Sequence, residues 1–182
     1  IDDLAQRRAI NQKLGYDTGR SIIMFVFDSL RAHLVPPVRE EKGRIPSLTP
    51  NLDRFINRGV RFTRAYMPAG VCSPTRSAII TGMHQTSIGA HQHYSSFETW
   101  RGIVMDEWDP NYLGVRTIPE IMRLAGYHTF NQGKLHYNFV YDIDQIYDHH
   151  VKKNNFRGAK PGTCWNVERS GKPFFGQIQL TG

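Results

Sequence analysis

The residues Ile22-Ile23-Met24-Phe25-Val26-Phe27 form an unbroken apolar run that ends abruptly at Asp28. β-Branched and aromatic residues without alternation predict a strand buried on both faces, the pattern of a parallel sheet. Parallel strands cannot be joined by tight hairpins and need helical crossovers, so this run constrains the rest of the chain. The required elements follow in order. Thr49 is placed to cap a helix that begins at Pro50 and ends near Gly59. Val60 to Tyr66 alternates as a strand would, Ser73 to Thr81 reads as a helix stopped by Gly82, and Thr117 to Ala125 reads as an amphipathic helix with Pro119 in its first turn and Gly126 as its stop. Tyr127 to Phe130 and Phe174 to Leu180 read as further strands. Residues 1 to 20 read as a surface helix, and 33 to 50 and 83 to 116 as irregular connections. Strands alternating with helices predict an α/β sandwich with a largely parallel central sheet flanked by helices. Asp28, Cys72 and the segment 131 to 136 then follow strands or their loops, where the site of such a fold is expected.

Composition narrows the function classes. With 40% hydrophobic and 21% charged residues, the 182-residue chain has globular composition, and six residues of apolar run are too few for a transmembrane segment. The formal charge of +7 favours anionic partners, although scattered solvated Lys and Arg would give the same count. Lys152-Lys153 and Arg7-Arg8 are pairs rather than patches, and no nucleic-acid-binding motif is present, so no nucleic-acid partner is expected. The chain starts at Ile1 without a charged-then-apolar leader, which reads as a mature or trimmed chain. Cys72 and Cys164 are too few for a disulfide scaffold; pairing between them stays open, and Cys164 reads as structural or incidental.

The segment Cys72-Ser73-Pro74-Thr75-Arg76-Ser77-Ala78-Ile79-Ile80-Thr81-Gly82 is the strongest chemical signal. It resembles the signature of the formylglycine-dependent sulfatases, members of the alkaline-phosphatase-like superfamily: a Cys-x-Pro-x-Arg core followed by a small-apolar helix ending in Thr-Gly. The resemblance implies oxidation of Cys72 to formylglycine by a formylglycine-generating or sulfatase-maturing enzyme. The hydrated aldehyde would offer one hydroxyl to attack sulfur and another to expel sulfate, a self-regenerating form of covalent catalysis. A helix N-terminus suits that residue, because unpaired backbone N–H groups stabilise anionic oxygens. Arg76, one turn on, lies on the same helix face. Outside the motif, Cys72 would read as a buried thiol and Arg76 as a surface ion-pair partner.

Two other segments carry the same resemblance in the same order. The first strand ends at Asp28-Ser29 where the family has an acidic pair that binds calcium, so Asp28, Ser29 and the converted Cys72 become candidate Ca2+ ligands. Ser29 replaces a carboxylate with a neutral hydroxyl, a departure that weakens the expected metal binding. Gly133-Lys134-Leu135-His136 is similar to the family's Gly-Lys-x-His segment. The resemblance implies that Lys134 offsets charge on the sulfuryl oxygens and that His136 manages a proton of the formylglycine hydroxyl. The histidines His84, His91 and His93 have short spacing but no Cys or acidic cluster among them, and read as wall or loop residues, without a metal. Thr49 to Asp53 and Gly59 to Thr63 match family scaffold.

The resemblance runs from Ser21 to Gly182 and stops short of the family's later metal ligands and second Lys and His. Residues 1 to 182 therefore read as the N-terminal portion of a sulfatase catalytic domain whose remainder is absent from this chain, a cut that would leave an unpaired sheet edge. The expected activity is hydrolysis of a sulfate ester on a small molecule or carbohydrate, in an exported protein: periplasmic or secreted, or lysosomal in a eukaryote. Two alternatives remain open: a phosphonate or phosphate-ester hydrolase of the same fold, which the incomplete acidic pair echoes, and a non-catalytic relative that binds sulfated glycans.

Overall fold

A computed structural model of the chain describes residues 20–28, 30, 49–93, 114–151 and 171–180. The N-terminal helix, most of the loops at 33–50 and 83–116, Ser29, Cys164 and the three tryptophans lie outside the described residues. The elements are β1 (Ile22–Phe27), α1 (Pro50–Ile56), α2 (Cys72–Thr81), α3 (Ile118–Leu124), β2 (His128–Gln132), α4 (Ile143–Ile146), β3 (His149–His150) and β4 (Phe174–Leu180).

The four strands form one parallel sheet in the order β1-β4-β2-β3. The last strand in sequence thus occupies an interior position. β4 pairs with β1 from Ile22 opposite Phe175 to Phe27 opposite Leu180, and with β2 from His128 opposite Phe174 to Gln132 opposite Ile178. Residues 175–179 of β4 are buried, as is all of β2. Gly176 is required in β4 because the Phe130 ring of β2 fills the space a Cβ would take.

The expectation for β1 is half met. It is a parallel strand, but its side chains are not buried on both faces: Ile22 is 43% and Phe25 47% exposed. The cause is position. β1 is an edge strand bonded only to β4, and among the described elements only β4 packs closely against it. Among the described strands β1 and β3 are the two edges of the sheet, and β4, the strand nearest the end of the sequence, is not one of them.

The helices obey their end signals. Thr117 caps α3 with a full capping box: its hydroxyl accepts from the Glu120 N–H while the Glu120 carboxylate accepts from the Thr117 N–H at 2.7 Å. Gly82 ends α2 in the left-handed conformation with φ 67°. Thr49 behaves differently from the prediction. Its hydroxyl donates to the Asp53 carboxylate (3.0 Å) instead of accepting a backbone N–H. The predicted strand at Val60 to Tyr66 is absent; these residues run as an exposed turn-containing segment with no ladder partner among the described residues. Alternation alone does not make a strand where no sheet edge accepts it.

The main core lies beside the sheet. Ile80 of α2, Ile88 and Ala90 of the following turns, and Tyr137, Phe139, Ile146 and Tyr147 pack together. Tyr137 and Phe139 stack with ring centroids 5.5 Å apart. The Tyr137 and Tyr147 hydroxyls bond each other at 2.8 Å, and Tyr147 also donates to the Gln177 amide of β4. Burial pushes both phenol pKa values up, so the pair acts as a neutral hydrogen-bonded clamp between loop and sheet.

Candidate active site

α2 starts at Cys72, whose neighbour Val71 is extended (φ −128°, ψ 151°), so the cysteine is the first helical residue. The helix is anchored by burial of Ser73, Pro74, Arg76, Ser77, Ala78 and Ile80. Ser77 is the cross-tie: its hydroxyl accepts the Asn138 N–H at 2.9 Å, and the Asn138 amide donates to the Gln92 carbonyl at 3.0 Å. One asparagine therefore fixes the α2 helix, the segment after His136 and the chain beside His93 in a single arrangement.

β1 and β2 deliver the remaining groups at their C-terminal ends, as parallel-sheet geometry requires. Asp28 follows β1, and its N–H donates to the Leu180 carbonyl (2.9 Å) at the end of β4. After β2 the chain turns through Gly133, with φ 101°, where an added Cβ would meet Gln179 at 3.1 Å. It then carries Lys134 and His136. His136 is the one non-glycine residue with positive φ (59°) among the described residues. Such a conformation persists only where surroundings impose it, and here it accompanies a ring brought against Cys72.

The charged half of the site centres on Asp28. Arg76 Nη2 donates to Asp28 Oδ1 at 2.7 Å and Lys134 Nζ donates to Oδ2 at 2.9 Å. Arg76 Nη1 also donates to the Gln179 side-chain oxygen and to the Lys134 carbonyl at 3.3 Å. Burial alone would raise the Asp28 pKa, but the hydrogen bonds and charges of Lys134 and Arg76 outweigh it and hold the carboxyl below the usual range. Asp28 is therefore a permanent anion at neutral pH.

The other half holds Cys72. Its Sγ lies 3.2 Å from His136 Nδ1 and 3.5 Å from His93 Nε2, and the two rings meet edge-on with centroids 5.2 Å apart. Burial, followed by the charges of Lys134, His93 and Arg76, lowers the His136 pKa to about 4 against a smaller opposing effect of Asp28. His136 is thus a neutral base at pH 7, able to hold or accept a proton at the atom facing residue 72.

Of the residues expected from sequence, Asp28, Cys72, Arg76, Lys134 and His136 come together, from positions more than a hundred residues apart. Ser29 lies outside the described residues. Two further residues belong to the cluster. His93, read from sequence as a wall or loop histidine, reaches the Cys72 sulfur. Gln179 holds both Arg76 and, through its amide nitrogen at 3.1 Å, Asn131. The signal for Gln179 was present in the polar alternation of Gln177 and Gln179 within an otherwise apolar strand. His84 and His91 are exposed and take no part in the Cys72 cluster.

A family model described as Sulfatase matches residues 20–169. An ulvan-active sulfatase of Formosa agariphila is 32% identical over 88% of this chain and 24% of its own length. Bovine arylsulfatase A is 33% identical over 52% of this chain and 17% of its own length. A crystal structure of a candidate sulfatase from Bacteroides thetaiotaomicron superposes with a TM-score of 0.62 at 19% identity, covering 90% of this chain and 35% of that one. The chain thus spans about a quarter or less of the length of these two curated relatives.

Proposed function

The chain belongs to the sulfatase family, with its α/β, alkaline-phosphatase-like fold, and from that premise we propose that the protein hydrolyses a sulfate ester through a formylglycine made from Cys72. The observation that carries the proposal is the position of Cys72. It stands at the first residue of a buried helix, 3.2 Å from a neutral histidine nitrogen and beside the Arg76–Asp28–Lys134 array.

The hydrated aldehyde at position 72, when formed, supplies one hydroxyl to the sulfur and a second for release of sulfate. The chain's own residues do the rest. Residue 72 stands at the positive end of the α2 dipole, which favours negative oxygens there. His136 holds or accepts the proton of a hydroxyl at residue 72 through Nδ1. Lys134 and Arg76 are fixed cations, held in place by Asp28 before a substrate arrives, so little reorganisation is needed to stabilise sulfuryl oxygens. A divalent metal fits the chemistry of Asp28, a hard and permanently ionised oxygen donor. Asp28, Ser29 and an oxygen on residue 72 would hold such an ion, which would supply positive charge beside the sulfuryl group. Calcium, the ion proposed, takes about six to eight oxygen ligands, so the set is completed from outside these residues.

Residues 1–182 are proposed to form the N-terminal portion of a longer catalytic domain. The exposed apolar side chains of the β1 edge and the share of the relatives that is covered support this reading. A carbohydrate as the esterified alcohol rests on analogy with the relative named as ulvan-active. Export and conversion by a maturing enzyme complete the proposal. Among the described residues no helix is long and apolar enough to cross a membrane.

The test uses the full-length protein from its native host. The tryptic peptide from Ala65 to Arg76 should show sulfur replaced by an aldehyde oxygen at residue 72. Turnover of an aryl sulfate should exceed that of the matched phosphate and phosphonate and fall by roughly a thousandfold or more in Cys72→Ala. An unmodified, alkylatable thiol from that host would overturn the formylglycine reading. Preference for the phosphonate would move the protein to the phosphonate-hydrolase class, and retained glycan binding without turnover to the binding class.

A further inference from the structure

Cys72 Sγ, His93 Nε2 and His136 Nδ1 lie within 4.8 Å of one another. We infer that, while residue 72 is still a thiol, these three atoms form a binding site for a thiophilic divalent cation, zinc in the first instance. The site shares residue 72 with the proposed calcium site but takes it as a thiolate beside two imidazoles, in place of oxygen ligands, and goes beyond the sulfatase reading.

The geometry carries the inference. A tetrahedral zinc has Zn–S near about 2.3 Å and Zn–N near about 2.0–2.1 Å, which separates its sulfur and nitrogen ligands by roughly 3.5 Å. The two sulfur–nitrogen distances are 3.2 and 3.5 Å. Both sulfur–nitrogen edges thus match such a tetrahedron, the two ring nitrogens lie within 4.8 Å of each other, and a small turn of the exposed His93 ring would close the third edge, leaving the fourth position for water. The donor set argues for zinc over calcium: one thiolate and two imidazoles suit a borderline-soft ion, whereas calcium takes oxygen. Arg76 and Lys134 do not oppose the ion as unpaired charges, because both are bonded to Asp28. His93 is exposed while Cys72 and His136 are half-buried, which gives the ion a path from solvent. The ligands are also held in place, His136 by its imposed backbone conformation and the chain at His93 by the Asn138–Gln92 bond.

Binding is a proton exchange: the Cys72 thiol loses its proton to solvent as the sulfur–metal bond forms, with no change of oxidation state. The consequence is chemical. A metal-bound sulfur is masked from alkylating and oxidising reagents, so zinc would protect the thiol form and disappear from the site once the sulfur is removed.

The test uses full-length protein produced without conversion of Cys72, its thiol state verified by mass spectrometry; that check keeps a failure here separate from a failure of the formylglycine reading. Cobalt(II) should bind with one-to-one stoichiometry and give a thiolate-to-metal charge-transfer band with tetrahedral d–d absorption. Zinc should quench that spectrum and slow iodoacetamide labelling of Cys72 by at least about tenfold, with calcium without effect and a chelator restoring the rate. Cys72→Ser should abolish the band, and His93→Ala and His136→Ala should each weaken binding by roughly tenfold or more. His93 is exposed, so its variant reports ligation without disturbing the fold. Absence of the band, its persistence in Cys72→Ser through Cys164, or wild-type affinity in His93→Ala would overturn the inference.

Discussion

Replacing Asp28 with asparagine tests the charge arrangement on which the site rests. The carboxylate bridges Arg76 at 2.7 Å and Lys134 at 2.9 Å, with side-chain exposures of 24% for Asp28, 6% for Arg76 and 12% for Lys134. D28N preserves shape and removes the charge, leaving two largely buried cations facing a neutral amide. Breaking a fully buried pair costs about 3–5 kcal/mol, whereas an exposed pair contributes about 0–1 kcal/mol. Asp28 is partly solvated, so the expected loss is about 2–3 kcal/mol. Denaturant titration of the full-length protein in chelator should show a lower midpoint at unchanged slope. Much of the loss comes from the stranded cations, so K134M added to D28N should recover about 1 kcal/mol, an interaction energy of the size found for directly coupled residues. The pH dependence has a fixed sign. A depressed folded pKa gives stability that is complete above the unfolded value near 3.8 and is lost as pH falls through the folded value, and D28N should flatten that acid limb. A D28N protein within about 0.5 kcal/mol of the parent, or additive effects of the two substitutions, would refute the idea that Asp28 organises both cations.

Other outcomes follow from particular contacts. Gly133→Ala should cost about 1–3 kcal/mol, because φ is 101° and the new methyl would press on Gln179; thermal unfolding would measure it, and an unchanged midpoint would contradict the geometry. Gln179→Leu should cost about 2 kcal/mol in the same assay by removing an acceptor from Arg76 and a donor to Asn131, both buried, and should reduce turnover by loosening Arg76. His136 should titrate near pH 4 by NMR. Its folded pKa lies below the unfolded value of about 6.5, so its contribution to stability is complete above that pH and declines as pH falls towards about 4. His136→Gln should remove that slope, and a ring titrating near 6.5 would mean that burial and the neighbouring cations do not act on it.

What the sequence determined by itself was local. The apolar run at Ile22 to Phe27 set a parallel strand, and Thr117, Pro119 and Gly126 set the ends of one helix. The order Asp28, Cys72-x-Pro-x-Arg76, Lys134-x-His136 pointed to the family, because each signal sits within a few residues where spacing and backbone preference act directly. Tertiary structure decided the rest. It put β4 inside the sheet and β1 at its edge, so the apolar run is half-exposed, since burial depends on what packs against a strand and not on its own residues. Among the described residues it gave Val60 to Tyr66 no ladder partner. It made His93 a neighbour of Cys72 and Gln179 a partner of Arg76, contacts 21 and 103 residues apart along the chain. No periodicity encodes such pairings. They arise from strand order, from the turn at Gly133 and from the Ser77–Asn138–Gln92 tie, which exist only once the chain has folded.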